Sequence, residues 1–185
     1  MHIPELLEEN PIIAAVRSDG DFSTALQAPP TVLFLLSGNI LTLRERIAEA
    51  HASGKAVLVH MDLTEGLGKD GAGVRYLSRI GADGLISTRS SLIRSAKECG
   101  LCTVQRFFMV DSHSVATAVE AIHTTMPDMV ELMPGVVPKI VQAFRTYCTV
   151  PVIAGGLIDS KEEILAALRA GAAAVSAGNG RLWIE

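Results

Sequence analysis

An eightfold alternation of short β-branched runs with amphipathic stretches constrains this chain more than any other feature. The runs are 12–16 (IIAAV), 32–36 (VLFLL), 56–60 (AVLVH), 84–87 (GLIS), 103–108 (TVQRFF), 129–132 (MVEL), 151–154 (PVIA) and 173–176 (AAVS). Most are continuously apolar, as parallel strands covered on both faces must be. The intervening stretches carry helix ends. In "DSKEEILAALRAG", Ser160 and Glu163 have capping-box spacing, Ile164, Leu165 and Leu168 form an apolar stripe, and Gly171 can end the helix in the left-handed conformation. Gly54, Gly81 and Gly100 close three further stretches in the same way, and Asp111 stands where an N-cap is needed before "SHSVATAVEAIHT".

Eight β–α units with right-handed crossovers predict an α/β fold, a small (β/α)8 TIM-like barrel, with an open doubly wound sheet as the alternative. The chain has 185 residues, whereas such barrels typically need about 250. Short loops and truncated helices after strands one and eight are therefore expected, since "SDGDFSTALQAPP" and "NGRLWIE" leave little room. No linker or low-complexity tract interrupts the pattern, so residues 1–185 read as one domain.

Composition excludes several classes. With 49% apolar and 19% charged residues the chain can bury a core, no apolar run reaches the length of a membrane span, and "MHIPELLEEN" is acidic where an export signal would be basic. A soluble cytoplasmic protein with no membrane partner is expected. Three cysteines do not make a disulfide framework. Cys99 and Cys102 are spaced C-x-x-C but close a helix, the end where the helix dipole does not activate a thiol, and a structural zinc would want four ligands.

In a barrel of this kind ligands sit at the C-terminal ends of the strands. Polar residues crowd there: Arg17 after strand one, His60, Asp62, Glu65 and Lys69 in "HMDLTEGLGKD", Arg89 in "STRSS", Gln105 and Arg106 in strand five, and Glu131 in strand six. Gly155 and Gly156 follow strand seven, and Ser176, Ala177, Gly178 and Asn179 follow strand eight. Small residues in both loops match the barrel phosphate cup, in which backbone N–H groups converge on an anion. The other reading is that these glycines only turn tight corners. His60, Asp62, Glu65 and Glu131 admit a divalent metal, but without a metal-binding His pair a hydrogen-bonded, salt-bridged pocket with no metal is preferred. Asp62, Glu131 or His60 could each move a proton, and their spacing does not select that role.

Taken together, "VHMDLTEGLGKDGAGVRYL", "ADGLISTRSSLI", "TVQRFFMVDS", "ELMPGVVPKI" and "PVIAGGLIDSKEEILAALRAGAAAVSAGNGRLW" resemble the glycerol-3-phosphate-responsive antiterminators of bacteria. The resemblance runs from about residue 10 to the C-terminus. It implies a regulator with no catalytic residues and no cofactor, with glycerol 3-phosphate as effector and the leader mRNA of glycerol-utilisation genes as partner; a homo-oligomer is compatible with it. The phosphate would rest on Gly155, Gly156 and Ser176 to Asn179, and the other mouth residues, with Arg17, would line the pocket. The net charge of −4 and the 4% aromatic content offer no global field or stacking platform for RNA. Only Arg75, Arg79, Arg89, Arg94 and Lys97 make a candidate basic patch, which reads equally well as a solvated helix face. The rival functions are an isomerase- or aldolase-like enzyme on a sugar phosphate, with Asp62 or Glu131 as base, and a metal-dependent phosphodiesterase acting on glycerophosphodiesters.

Overall fold

The structure, a computed structural model, describes residues 2–184. Eight parallel strands close a barrel: β1 (Ile12–Val16), β2 (Val32–Leu35), β3 (Ala56–His60), β4 (Gly84–Ser87), β5 (Cys102–Phe108), β6 (Met129–Met133), β7 (Val152–Gly155) and β8 (Ala174–Ala177). Each pairs with its sequence neighbours, and β1 pairs with β8, with Ile13 beside Ser176. All eight expected strands are present.

Helix α1 (Ile3–Glu9) precedes the barrel, and α2 (Asp19–Gln27), α3 (Ile40–Ala52), α4 (Gly71–Arg79), α5 (Ser90–Glu98), α6 (Ser112–Thr125), α7 (Pro138–Arg145) and α8 (Lys161–Arg169) follow the first seven strands. A single 3-10 turn, Gly180–Trp183, follows β8. The helix after β1 is not a stub: it runs nine residues, as do α4, α5 and α8. Nine helical residues rise about 13.5 Å, nearly the length of a four-residue strand at about 3.3 Å per residue. Short helices therefore cover short strands without overhang, and the compression is spread around the barrel.

The caps lie where the sequence puts them. Asp111 accepts from Ser114 N, and Ser160 and Glu163 form a reciprocal box at α8. Gly171 closes α8 at φ +100. The α8 stripe differs from expectation: Ile164 and Ala167 are buried, while Leu165 is exposed, because one helical step carries it off the sheet-facing side.

Strand alternation sorts the core into two layers. Ala14, Val16, Leu33, Val57, Leu85, Val130, Val152 and Val175 point outward beneath the helices. Ile13, Val32, Phe34, Leu58, Ile86, Val104, Met129 and Ile153 fill the barrel, and Ile3 and Leu7 of α1 join them. The amphipathic helix α1, which strand-based reading passed over, thus plugs the N-terminal end. The C-terminal end stays open, which decides where a ligand can enter. Among the described residues no helix is long and apolar enough to cross a membrane.

Candidate functional site

The inward positions change character in the last layer before the mouth. Above Phe34, Leu58 and Val104 come Leu36, His60 and Arg106, joined by Glu131 from β6 and Ser176 from β8. His60, Arg106, Glu131 and Ser176 are all buried. Ionic and polar groups taken out of water in this way must be paired.

Arg106 Nε donates to Glu131 Oε2 at 2.6 Å, and Ser176 Oγ donates to Glu131 Oε1 at 2.6 Å. Both carboxylate oxygens are thereby engaged, one by a cation and one by a hydroxyl. Gly155 makes this geometry fit. A Cβ there would collide with Glu131 Oε1 and stand 2.6 Å from Ser176 Oγ. The first glycine of the pair thus serves the Glu131 side chain. Gly155→Ala is expected to destabilise the protein by about 2 kcal/mol through overpacking and a strained buried hydrogen bond. A change in urea midpoint within experimental error would show that the carboxylate can step aside.

The second glycine has a different reason. Gly156 adopts φ +82 and Leu157 follows at φ +62, so the chain after β7 turns through two left-handed residues. A leucine held there is strained, and such residues gather at ligand sites. Across the mouth, a Cβ on Gly178 would lie 3.2 Å from the Arg17 guanidinium carbon, so the bare backbone after β8 is what lets that cation lie over the loop. The two loops are tied together: Asn179 Nδ2 donates to Asp159 Oδ1 at 2.6 Å, while Asn179 Oδ1 accepts from Arg181 N and caps the final 3-10 turn.

These groups surround a cavity of about 840 Å³ at the mouth, lined by Arg17, Arg106, Glu131, Gly156, Ser176, Gly178 and Asn179 among others. Its volume is that of a small-molecule cleft. Met133, Leu157, Ile158 and Asp159 also line it and were not anticipated. Asp159 could have been suspected from its place between the Gly-Gly turn and the Ser160 cap. The other three are apolar wall residues that no residue-type signal marks. Ala177 is the residue between, buried in the outer layer, with its carbonyl accepting from Trp183 Nε1.

The remaining expected residues separate. Asp62 lies in a 3-10 turn just above His60; its Oδ2 accepts from Ser87 Oγ at 2.8 Å and Thr88 N at 3.0 Å, and its Oδ1 lies 3.2 Å from Arg89 Nε. Arg89 is exposed at the start of α5. Lys69 turns away from the cavity: its ammonium donates to the Met61 and Thr64 carbonyls and fixes the loop after β3. Glu65 is exposed on the outer rim, where Asn39 Nδ2 donates to it across the two-residue ladder 38–39/64–65. Gln105 points the opposite way from Arg106, because consecutive strand residues alternate. It is buried under the helices, donating to Ser90 Oγ and accepting from Thr125 Oγ.

His60 is buried, its Nδ1 lacks a hydrogen-bond partner and sits 3.9 Å from Asp62 Oδ2. Burial, aided by the Arg106 charge and opposed by Asp62, lowers its pKa to about 4. It is a neutral imidazole near pH 7. The residues considered for a metal do not converge, for Glu131 is bound to Arg106 and Glu65 is on the rim; among the described residues no three His, Cys, Asp or Glu groups form such a site. Cys99 lies at the C-terminal cap of α5 and Cys102 at the start of β5, where burial, reinforced by Asp128 and Asp83, pushes the thiol up to about 12. That thiol is protonated and inert at neutral pH.

Comparison with known proteins places this chain in a family. A family model described as glycerol-3-phosphate responsive antiterminator matches residues 12–183. "Uncharacterized protein YgcP" of Escherichia coli (strain K12) is 32% identical over 184 residues, 99% of this chain and 96% of that protein. The crystal structure of the glycerol uptake operon antiterminator regulatory protein from Listeria monocytogenes superposes with TM-score 0.90 at 36% identity, covering 94% of this chain and 95% of that one. A glycerol uptake operon antiterminator-related protein from Thermotoga maritima superposes with TM-score 0.84 at 35% identity, covering 93% and 96%. An aldolase at TM-score 0.73 and 14% identity, covering 97% and 94%, shares the barrel fold alone. With its matched segment spanning the whole barrel from β1 to the final turn, the chain belongs to the glycerol-3-phosphate responsive antiterminator family.

Proposed function

We propose that this protein binds glycerol 3-phosphate in the barrel mouth and, when liganded, binds leader mRNA of glycerol-utilisation genes in the cytoplasm so that a terminator does not stop transcription. The observation that carries the ligand assignment is the meeting of two arginines, Arg17 and Arg106, with the glycine-bearing loops after β7 and β8 around one small cavity. A phosphate would sit between Arg17 and the backbone of Gly156, Gly178 and Asn179, while Glu131, Ser176 and Arg106 below would read the glycerol hydroxyls. The regulatory role rests on membership of the family.

The arrangement of the acids supports a receptor over an enzyme. Glu131 has both oxygens engaged by Arg106 and Ser176, and Asp62 is held by Ser87, Thr88 and Arg89. A general base needs a free carboxylate oxygen facing the proton it takes. Glu131 has no such oxygen, while among the described residues Asp62 Oδ1 has no hydrogen-bond partner and is met only by the Arg89 ion pair, so the receptor reading is carried by Glu131.

Titration with glycerol 3-phosphate, with other sugar phosphates as controls, tests the ligand. At a hundredfold excess over its dissociation constant the stabilisation should be about 2.7 kcal/mol, read as a rise in Tm. No rise would sink the assignment. Retention of leader RNA should then depend on the ligand; turnover of glycerol 3-phosphate without RNA retention would instead establish an enzyme.

A further inference from the structure

The charges of this chain are not spread evenly. The overall formal charge is −4, yet residues 71–98 hold five of the 16 Lys and Arg, namely Arg75, Arg79, Arg89, Arg94 and Lys97, against Asp83 and Glu98. Asp83 does not face outward: its carboxylate takes the His51 ring and the Val57 N–H beneath the helices. The segment consists of α4, β4 and α5, and the two helices pack side by side. On α4, Gly73, Val74 and Leu77 face the barrel, which leaves Arg75 and Arg79 one turn apart on the solvent side. On α5, Leu92, Ile93 and Ala96 face inward and leave Arg94 outward. Among the described residues, the arginine ion pairs are those of Arg46, Arg89 and Arg106, so Arg75, Arg79 and Arg94 carry uncompensated charge.

Elsewhere the balance differs. Helices α1 and α2 carry only acidic charges, α3 mixes both signs, and α8 sets Glu162 and Glu163 against Lys161 and Arg169. Helix α7 carries Lys139 and Arg145 without an acid, but α8 beside it brings Glu162 and Glu163, whereas the packed pair α4 and α5 sets Arg75, Arg79, Arg94 and Lys97, all exposed, against Glu98 alone. Its upper end reaches the mouth. Arg89 stands at the N-cap position of α5 and pairs with Asp62, which stands two residues from His60 in the buried polar layer.

We propose that the outer face of α4 and α5, through Arg75, Arg79 and Arg94, is the surface on which the RNA backbone docks, with the Arg89–Asp62 pair joining it to the ligand mouth. The inference rests on the RNA-binding reading above and locates it. Guanidinium groups in a row neutralise successive phosphates without reading sequence, so this face supplies affinity and salt dependence. A change at the mouth that shifts Asp62 would move Arg89 and the start of α5.

The test uses a pool of random RNA oligonucleotides enriched on the wild-type protein with glycerol 3-phosphate present. The variant is Arg75→Glu/Arg79→Glu/Arg94→Glu, and the charge-matched control is Lys139→Glu/Arg145→Glu/Arg169→Glu on α7 and α8 across the barrel. Both should keep the wild-type thermal response to glycerol 3-phosphate, which shows fold and mouth intact. The α4–α5 variant should lose about tenfold or more in RNA affinity, and its slope of log affinity against log salt should shrink by about 2, since each lost single-strand phosphate contact removes about 0.7. The control should stay close to wild type. Equal losses in both variants, or none in the first, overturn the assignment while leaving RNA binding itself standing. Loss of binding to phosphatidylserine vesicles with RNA affinity unchanged also overturns it and assigns the face to lipid. If the wild type enriches no RNA, the RNA-binding reading fails, and this surface assignment with it.

Discussion

Arg106→Leu is expected to lower the unfolding free energy by about 3–5 kcal/mol, because it leaves the Glu131 carboxylate buried without its cation. Against a total stability of about 5–15 kcal/mol for a domain, that is a large share. Glu131→Leu should cost a similar amount, now stranding the guanidinium. The double variant should recover most of the loss, since replacing a buried pair by apolar groups of similar volume is often neutral or favourable. Urea unfolding reads all three, with the midpoint shifting at unchanged slope. A double variant as unstable as the sum of the singles would show that the two charges do not depend on each other. None of the three should retain a thermal response to glycerol 3-phosphate if Arg106 and Glu131 hold the ligand. Recovery in the double variant would show that the pair is held in the core at a stability cost that an apolar pair avoids. The recognition role proposed for Arg106 and Glu131 would then account for keeping it.

The fold was legible in the sequence because its strands are buried on both faces. That requirement makes each strand a continuous apolar run, and the glycines and caps between the runs mark the helices. Helix α1 was missed because nothing in "IPELLEE" says that it folds under the barrel; only the open N-terminal end of the closed sheet creates that need. The site was legible at the level of strand ends and no finer. Arg106 and Gln105 are neighbours in "TVQRFF", yet one faces the cavity and the other the helices, and that choice depends on register with β6, where Arg106 lies beside Glu131. Lys69 looks like a pocket cation from its position, whereas the loop after β3 bends so that its own carbonyls take the ammonium. From the sequence, Gly155 reads as a backbone facing an anion. Its immediate reason is the volume needed by a carboxylate from the neighbouring strand, a tertiary fact that no local pattern carries.

The same buried layer gives the protein an acid-sensitive component. His60 titrates at about 4 in the folded state, against the ordinary value of 6.5. The unfolded chain therefore binds a proton at this position between those values while the folded chain does not, and stability falls as pH falls through that window. The contribution is fully present above pH 6.5 and is lost by pH 4, a difference of about 3 kcal/mol at about 1.4 kcal/mol per unit. Carboxylates contribute their own slope in this range, so the comparison that isolates His60 is wild type against His60→Gln, with urea midpoints measured across the interval. The variant should lose less stability on acidification. Parallel curves would place the imidazole in contact with water. NMR titration of the His60 Cε1 proton gives the pKa directly, and in Arg106→Leu it should rise, because one of the two largest depressing influences has been removed. A phosphate bound at the mouth beside Arg17 would add negative charge above the buried layer and should act in the same direction. On the proposed function, His60 would thereby report from inside the barrel on whether an anion occupies the mouth.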